Sequence, residues 1–246
     1  MSVNVQGYLD YLSKPWGKLF FRMVWHRLHF EGKKILDFGS GFGVTANHLA
    51  RSNDVTAIEP NEEILAHRFC ENGYRQIVGG IEQLAAMPDG SYDVIVCHNV
   101  LEYLANAEER AALLREFHRL LKSNGVVSIV KHNRAGKIMQ KAVFEYRVDE
   151  ALDLLHGQNG RSVNLGEVHE YELDELTQDS AGLLEIDAFY GVRMFYGLQR
   201  NEVKTDSDWL ANMYALECEA EEVPAFRDIA FFHHVMLKPI AEERIK

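Results

Sequence analysis

The chain has 246 residues, 47% apolar and 26% charged, a balance that supports a packed core and excludes wholesale disorder. Its formal charge of −11 counts against a general nucleic-acid binder, and no apolar run approaches the roughly 18 residues needed to cross a bilayer. Cys70, Cys97 and Cys218 are odd in number, far apart and outside any Cys-x-x-Cys pair, and the stretch Met1 to Gly7 has no basic lead into an apolar run. Those features argue against a disulfide scaffold, a zinc site and a secretory signal, and for a reducing cytoplasm.

Along the chain, Tyr8, Tyr11, Trp16, Phe20, Phe21 and Trp25 recur at helical spacing and predict one or two helices that are ordinary core. Lys33 to Phe38 reads as a strand, Gly39-Ser40-Gly41-Phe42-Gly43 as a glycine turn, and Val44 to Arg51 as a helix. Asp54 to Ile58 is a second strand, followed by a helix from about Asn61 that ends at the pair Asn72-Gly73. Gln76 to Val78 is a third strand, and Tyr92 to Cys97 a fourth, with Val-Ile-Val at its centre as in a strand buried on both faces. The helix Ala107 to Lys122 is capped by Asn106 with Glu109 at the capping-box position. It carries a stripe of Leu113, Leu114, Phe117, Leu120 and Leu121 and ends at Asn124-Gly125. Val126 to Val130 is a fifth strand. This alternation predicts βαβ units and a parallel sheet covered on both faces. From 132 to 182 the rhythm breaks into a polar segment with Gly157, Gly160 and Gly166, read as an insertion after strand five. Gly182 to Tyr196 and Ala230 to Leu237 supply two further strands, with a helix near 206–221 between them.

Charge is unevenly spread. Residues 1–34 and 131–147 each carry +4, whereas 35–130 carry −6 and 148–246 carry −13. The two basic segments read either as solvated helix faces or as the rim of one cleft that receives an anion. Glu217, Glu219, Glu221 and Glu222 read as a solvated helix face. His233 and His234 adjoin on a strand and point to opposite faces, which does not make a metal site.

The glycine turn carries the chemistry. Ligands of open parallel sheets bind beyond the carboxyl ends of the strands, and glycine lets the backbone take positive φ while a ligand approaches closely. A dinucleotide loop wants G-x-G-x-x-G; here the spacing is G-x-G-x-G and the third glycine comes one residue early. Asp37 beneath the turn repels a diphosphate and suits a ligand with ammonium and sulfonium charges, as in S-adenosylmethionine. Glu59, at the tip of the second strand, is placed to accept both ribose hydroxyls.

These residues resemble the motifs of class I S-adenosylmethionine-dependent methyltransferases. Ile35 to Gly43 is similar to the family's first motif and Ala57-Ile58-Glu59-Pro60-Asn61 to its ribose-binding second. Gly80-Ile81-Glu82-Gln83-Leu84 resembles the adenine-binding stretch, Tyr92 to Tyr103 the fourth-strand motif, and Leu120 to Val126 the approach to strand five. A looser resemblance over nearly the whole chain, through His98 to Tyr103, Asn133 to Gly136, Gly191 to Tyr196 and Lys238-Pro239, is to bacterial tRNA 5-carboxymethoxyuridine methyltransferases. Where those enzymes place an arginine for the cofactor carboxylate, this chain has Phe20, which leaves Lys18 or Arg22 for that role.

The resemblance implies a Rossmann-like α/β fold, a seven-stranded methyltransferase sheet with helices on both faces and an insertion after strand five. It implies a helical segment at 1–32 over the cofactor site, a cofactor-binding core at 33–131, a substrate-side insertion at 132–182 and sheet-completing strands at 183–246. It implies S-adenosylmethionine held by Asp37, Gly39, Ser40, Gly41, Gly43, Glu59, Pro60, Ile81, Glu82 and His98, with no metal and no membrane. The acceptor is then an anion, either the carboxylate of a modified tRNA wobble uridine or a small acidic metabolite. A carboxylate acceptor needs no general base, only groups to orient it, and Arg193, Tyr190 and Arg134 are candidates; for a hydroxyl or amine acceptor His98 or His132 is the candidate base. A nicotinamide-dependent oxidoreductase and a non-catalytic cofactor-binding module are the readings from other classes.

Overall fold

The computed structural model describes residues 4–158, 161–162, 166–167 and 169–240. Met1 to Val3, Gly160 and the residues beyond Ile240 lie outside them.

The chain opens with α1 (Val5–Ser13), whose cap Asn4 accepts from the Gly7 amide, and α2 (Pro15–Trp25), begun by a proline where the missing N–H costs nothing. Gly17 lets α2 pass against α1, since a Cβ there would collide with the Tyr11 carbonyl. Then come β1 (Lys34–Phe38), α3 (Val44–Leu49), β2 (Asp54–Glu59), α4 (Glu62–Leu65), β3 (Arg75–Val78), β4 (Tyr92–His98), α5 (Ala107–Leu120) and β5 (Leu121–His132). After β5 the chain forms α6 (Arg134–Met139), a π-helical turn (Gln140–Phe144), α7 (Val148–Leu155), the short ribbon β6 (Arg161–Ser162) with β7 (Gly166–Glu167), and α8 (Leu173–Asp179). It finishes with β8 (Leu184–Val192), α9 (Ser207–Ala220), α10 (Pro224–Arg227) and β9 (Phe232–Pro239).

Seven strands form one sheet in the order β3-β2-β1-β4-β5-β9-β8. β1 pairs in parallel with β2 and β4, and β2 with β3. Hydrogen bonds from Phe231 N to Arg193 O and from Ile240 N to Leu183 O bracket β8 and β9 and make that pair antiparallel. The order reverses between β1 and β4, the place where ligands of such sheets bind. Ile35, Leu36, Ala57, Ile58, Ile95, Val96 and Cys97 are all 0% exposed, as befits central strands covered on both faces. Leu113, Leu114, Phe117 and Leu120 form the buried stripe of α5, and the Phe117 ring meets Phe38 at 5.6 Å. Each such side chain contributes about 1.5–3 kcal/mol by leaving water.

Three sequence expectations are corrected. The helix expected from Asn61 to Gly73 is only α4, because the following segment is tied to the glycine turn: Phe69 N donates to Phe42 O at 2.8 Å, and Asn72 bonds Asn47 through both its amide N–H and its side chain. Strand five begins at Leu121, so α5 ends without the glycine cap read from Asn124-Gly125. Glu109 reaches back to the amide of Ala105 while Asn106 caps Glu109, a variant of the expected box.

The chain divides into two compact units. One comprises Met1–His29, Val130–Glu170 and Phe189–His234; the other comprises Phe30–Ile129, Tyr171–Ala188 and Val235–Lys246. In the second, Arg110 of α5 is locked to Asp179 of α8 at 2.6 Å, with side chains 6% and 8% exposed, and lies over the Tyr171 ring at 5.0 Å. No helix among the described residues is long and apolar enough to cross a membrane.

Candidate functional site

In the second unit the carboxyl ends of β3, β2, β1 and β4 carry the residues expected to hold the cofactor. Gly39, Gly41 and Gly43 all have left-handed φ, at +73°, +53° and +69°. Their surroundings differ. A Cβ on Gly39 would strike Val100, and one on Gly43 would strike the Tyr74 hydroxyl, so these two glycines are required by the protein's own packing. A Cβ on Gly41 would meet nothing within 4 Å, so Gly41 faces open space where a ligand can approach.

Glu59 holds this turn in place. Its carboxylate accepts from Gly41 N and from Asn61 N, each at 2.9 Å, and Gly39 N and Ser40 N both donate to Ile58 O at 2.9 Å. Glu59 is 7% exposed, and burial raises its pKa against the lowering by those two amides. A carboxylate offers about four acceptor sites, so two remain for a ligand's hydroxyls.

Asp37 is 3% exposed, and burial, reinforced by the nearby Glu59 charge, pushes its pKa up to about 7 in spite of a hydrogen bond from the Ala46 amide. Its Oδ2 is buried without a hydrogen-bond partner, as is Ser40 Oγ. A half-satisfied buried carboxylate is costly, and a cation with N–H donors is the group that completes it.

Beyond β3, Glu82 is exposed and accepts from Gly80 N at 2.7 Å, which lowers its pKa; Ile81 beside it is 42% exposed. Pro60 follows Glu59 on the surface. At the tip of β4, His98 Nε2 lies 2.8 Å from Ser128 Oγ. The next residue, Asn99, has φ +54° and a buried Oδ1 with no partner. Asn99 was not among the residues expected here. Its signal was an asparagine, the side chain most tolerant of left-handed backbone, directly after a strand tip.

The other candidates lie in the first unit. Arg193 has φ +64°, donates from Nη2 to Gln140 Oε1 at 2.9 Å and stacks over the Phe231 ring at 4.4 Å. Tyr190 lies under the Arg27 guanidinium at 4.0 Å. Arg134 donates to Leu154 O at 3.1 Å and stands 3.4 Å from Glu170. His132 stacks with Phe231 and Phe232. Phe20 is core, 6% exposed and packed on Phe21 and Phe232; Arg22 covers Tyr214 at 4.3 Å, and Lys18 is exposed.

Two charge readings are overturned here. Glu217 is 1% exposed, and its carboxylate accepts from the amides of Met194, Phe195 and Tyr196 at 2.8–3.0 Å. Glu221 is 3% exposed and pairs with Arg27 at 2.5 Å. These acids organise the interior, and of the four only Glu219 and Glu222 lie on the surface. The bases of 131–147 are neutralised locally: Arg134 and Lys137 by Glu170, Lys141 by Glu145 and Glu150, Arg147 by Glu150, while Lys131 is buried and donates to His132 O. They do not form a free basic rim.

A glycine turn after β1, a buried acid beneath it, a second acid at the tip of β2 and the strand reversal beside β4 are the arrangement expected of a class I, S-adenosylmethionine-dependent methyltransferase domain. Residues 36–129 match the family described as Methyltransferase domain. Among curated proteins it is 37% identical over 133 residues to the ubiquinone biosynthesis O-methyltransferase of Pseudomonas aeruginosa UCBPP-PA14, covering 50% of this chain and 55% of that protein. The chain thus spans about half the length of the curated relatives it matches. Among solved structures, an S-adenosylmethionine-dependent methyltransferase from Listeria monocytogenes superposes with a TM-score of 0.56 at 16% identity, covering 90% of this chain and all of the other. One from Methanosarcina mazei gives 0.57 at 17% identity, covering 88% and 97%. These likenesses show the same fold.

The residues present fit S-adenosylmethionine, the cofactor of this class. The orphaned Asp37 Oδ2 and Ser40 Oγ and the open face of Gly41 are what a cationic nucleoside would use.

Proposed function

We propose that the protein transfers a methyl group from S-adenosylmethionine to an anionic oxygen of a small acidic metabolite. The observation that carries the reading is the buried, half-satisfied carboxylate of Asp37 beneath an open glycine turn. S-adenosylmethionine supplies a methyl group on a positively charged sulfur, so the enzyme's work is alignment and exclusion of water.

In this reading Asp37 accepts from the ammonium group, Gly41 gives the backbone approach, Ser40 adds a hydroxyl, and Glu59 accepts from the ribose hydroxyls while still holding the turn. Ile81, with its 42% exposure, offers an apolar face to the base, and Glu82 and Pro60 border it. His98 stands at the strand tip against Ser128. An anionic acceptor arrives already nucleophilic and needs no base.

The chain's net charge of −11 and the local neutralisation of the 131–147 bases favour a small acceptor over the wobble-uridine carboxylate of tRNA. The P. aeruginosa relative is named for O-methylation, which agrees with an oxygen acceptor. The test is incubation with tritiated S-adenosylmethionine and either a small-molecule extract or unfractionated tRNA. Label is expected in the small-molecule fraction. Label in tRNA, in a reaction suppressed by rising salt, would replace this acceptor with the nucleic acid, and label in neither would refute the activity.

A further inference from the structure

Three unusual features of the first unit converge on one spot. The π-helical turn Gln140–Phe144 presents Gln140 and Phe144 to it; π turns cluster at functional sites because they place side chains that a regular helix does not. Arg193 sits in left-handed backbone at φ +64°, a conformation that favours glycine and is costly for a side chain of its size. Gly197 is a glycine because Arg193 folds across it: a Cβ there would lie 2.7 Å from Arg193 Nε. Against this group stands Lys204, only 3% exposed.

Among the described residues, neither cation has an acid within ion-pair distance. Arg193 Nη2 binds the neutral Gln140 amide at 2.9 Å, and its Nε is buried without an acceptor. Lys204 Nζ binds the neutral Asn201 side chain at 3.0 Å and lies over the Phe144 and Tyr196 rings at 5.4 and 5.7 Å. Glu217 is the buried acid whose charge reaches Arg193, but its carboxylate accepts from three main-chain amides; Glu202, which acts on Lys204, is exposed. Burial, with the neighbouring Arg193 charge, pushes the Lys204 pKa down to about 8, so the two cations feel one another. The phenol of Tyr11 also feels Arg193, and Tyr196 lies under its guanidinium at 5.7 Å.

Two like charges side by side, Lys204 buried and Arg193 half-buried, with only neutral side chains as hydrogen-bond partners are destabilising, and an anion is the group that relieves them. The planar guanidinium suits a two-oxygen acceptor, and the ammonium adds a point charge. We propose that Arg193 and Lys204, with Gln140 holding the guanidinium, form a receptor within the first unit for a carboxylate or a phosphate, a site that stands whether or not the methyltransferase reading does.

The test uses isothermal titration of the whole protein with acetate and, separately, inorganic phosphate, with adenosylhomocysteine titrated in parallel. Saturable binding of one anion at millimolar concentration or below is expected, and which anion binds tells carboxylate from phosphate. Lys204→Met should weaken that binding at least tenfold and raise the melting temperature, because a buried charge gives way to an apolar chain of similar length; K204R should keep most of the binding. Adenosylhomocysteine affinity should be the same in all three proteins. No saturable binding of either anion, or binding indifferent to K204M, overturns the receptor. Failure of the unaltered protein to bind adenosylhomocysteine overturns the methyltransferase reading instead and leaves the anion result to stand on its own.

Discussion

Cofactor affinity should depend on pH through Asp37. With a pKa of about 7, Asp37 is about nine-tenths protonated at pH 6 and about one-tenth at pH 8. A cationic ligand needs the ionised form, so adenosylhomocysteine should bind about tenfold more weakly at pH 6 than at pH 8, a difference of about 1.4 kcal/mol. Binding at pH 6 should release close to one proton. Calorimetry in two buffers of different ionisation heat measures both quantities. D37N should weaken binding at pH 8 and flatten the pH profile. Glu59→Gln should leave the slope but move it to lower pH, because the Glu59 charge is one cause of the raised Asp37 value. The unliganded protein should show the opposite trend. A carboxyl whose folded pKa lies above its unfolded value of 3.8 contributes stability that is whole below 3.8 and is lost as pH rises to about 7. That loss is on the order of 4 kcal/mol, and D37N should recover much of it at pH 8. An affinity that is flat between pH 6 and 8, with no proton released, would refute this account of Asp37.

Other outcomes are equally open to measurement. Gly41→Ala should cost only about 1–2 kcal/mol in urea denaturation, the penalty of left-handed backbone, yet abolish adenosylhomocysteine binding. Gly39→Ala should destabilise more through its collision with Val100, and adding V100A should restore part of that loss. Glu217→Ala should cost about 3–5 kcal/mol because three buried amides lose their acceptor, with E217Q milder; denaturation midpoints decide. Asp179→Asn should cost several kcal/mol by leaving Arg110 buried beside a neutral partner, whereas replacing Arg110 and Asp179 together by Met and Leu should come close to neutral in the same assay.

Much of the architecture was legible in advance because it is written in local pattern. The apolar runs of β1, β2 and β4 and the stripe of α5 each follow from short-range periodicity. The glycine turn with Asp37 and Glu59 follows from spacing alone. What stayed hidden depends on partners far along the chain. Nothing near Glu217 reveals that its carboxylate caps amides 21–23 residues away. Nothing near Arg27 reveals Glu221, 194 positions on. The segment after α4 has helical composition but spends its amides and side chains on Phe42 and Asn47, and that competition is tertiary. Lys204 was not singled out at all, because burial of a cation has no local signature.

The way Glu217 grips the chain also bears on how this protein can diversify. It reads only main-chain N–H groups, so the bend at 194–196 is indifferent to which side chains hang from it. Substitution at Phe195, whose ring packs against Phe226 at 5.3 Å, can therefore change that packing while the bend keeps its hydrogen bonds. One buried acid thereby frees the course of the backbone from the side chain carried there.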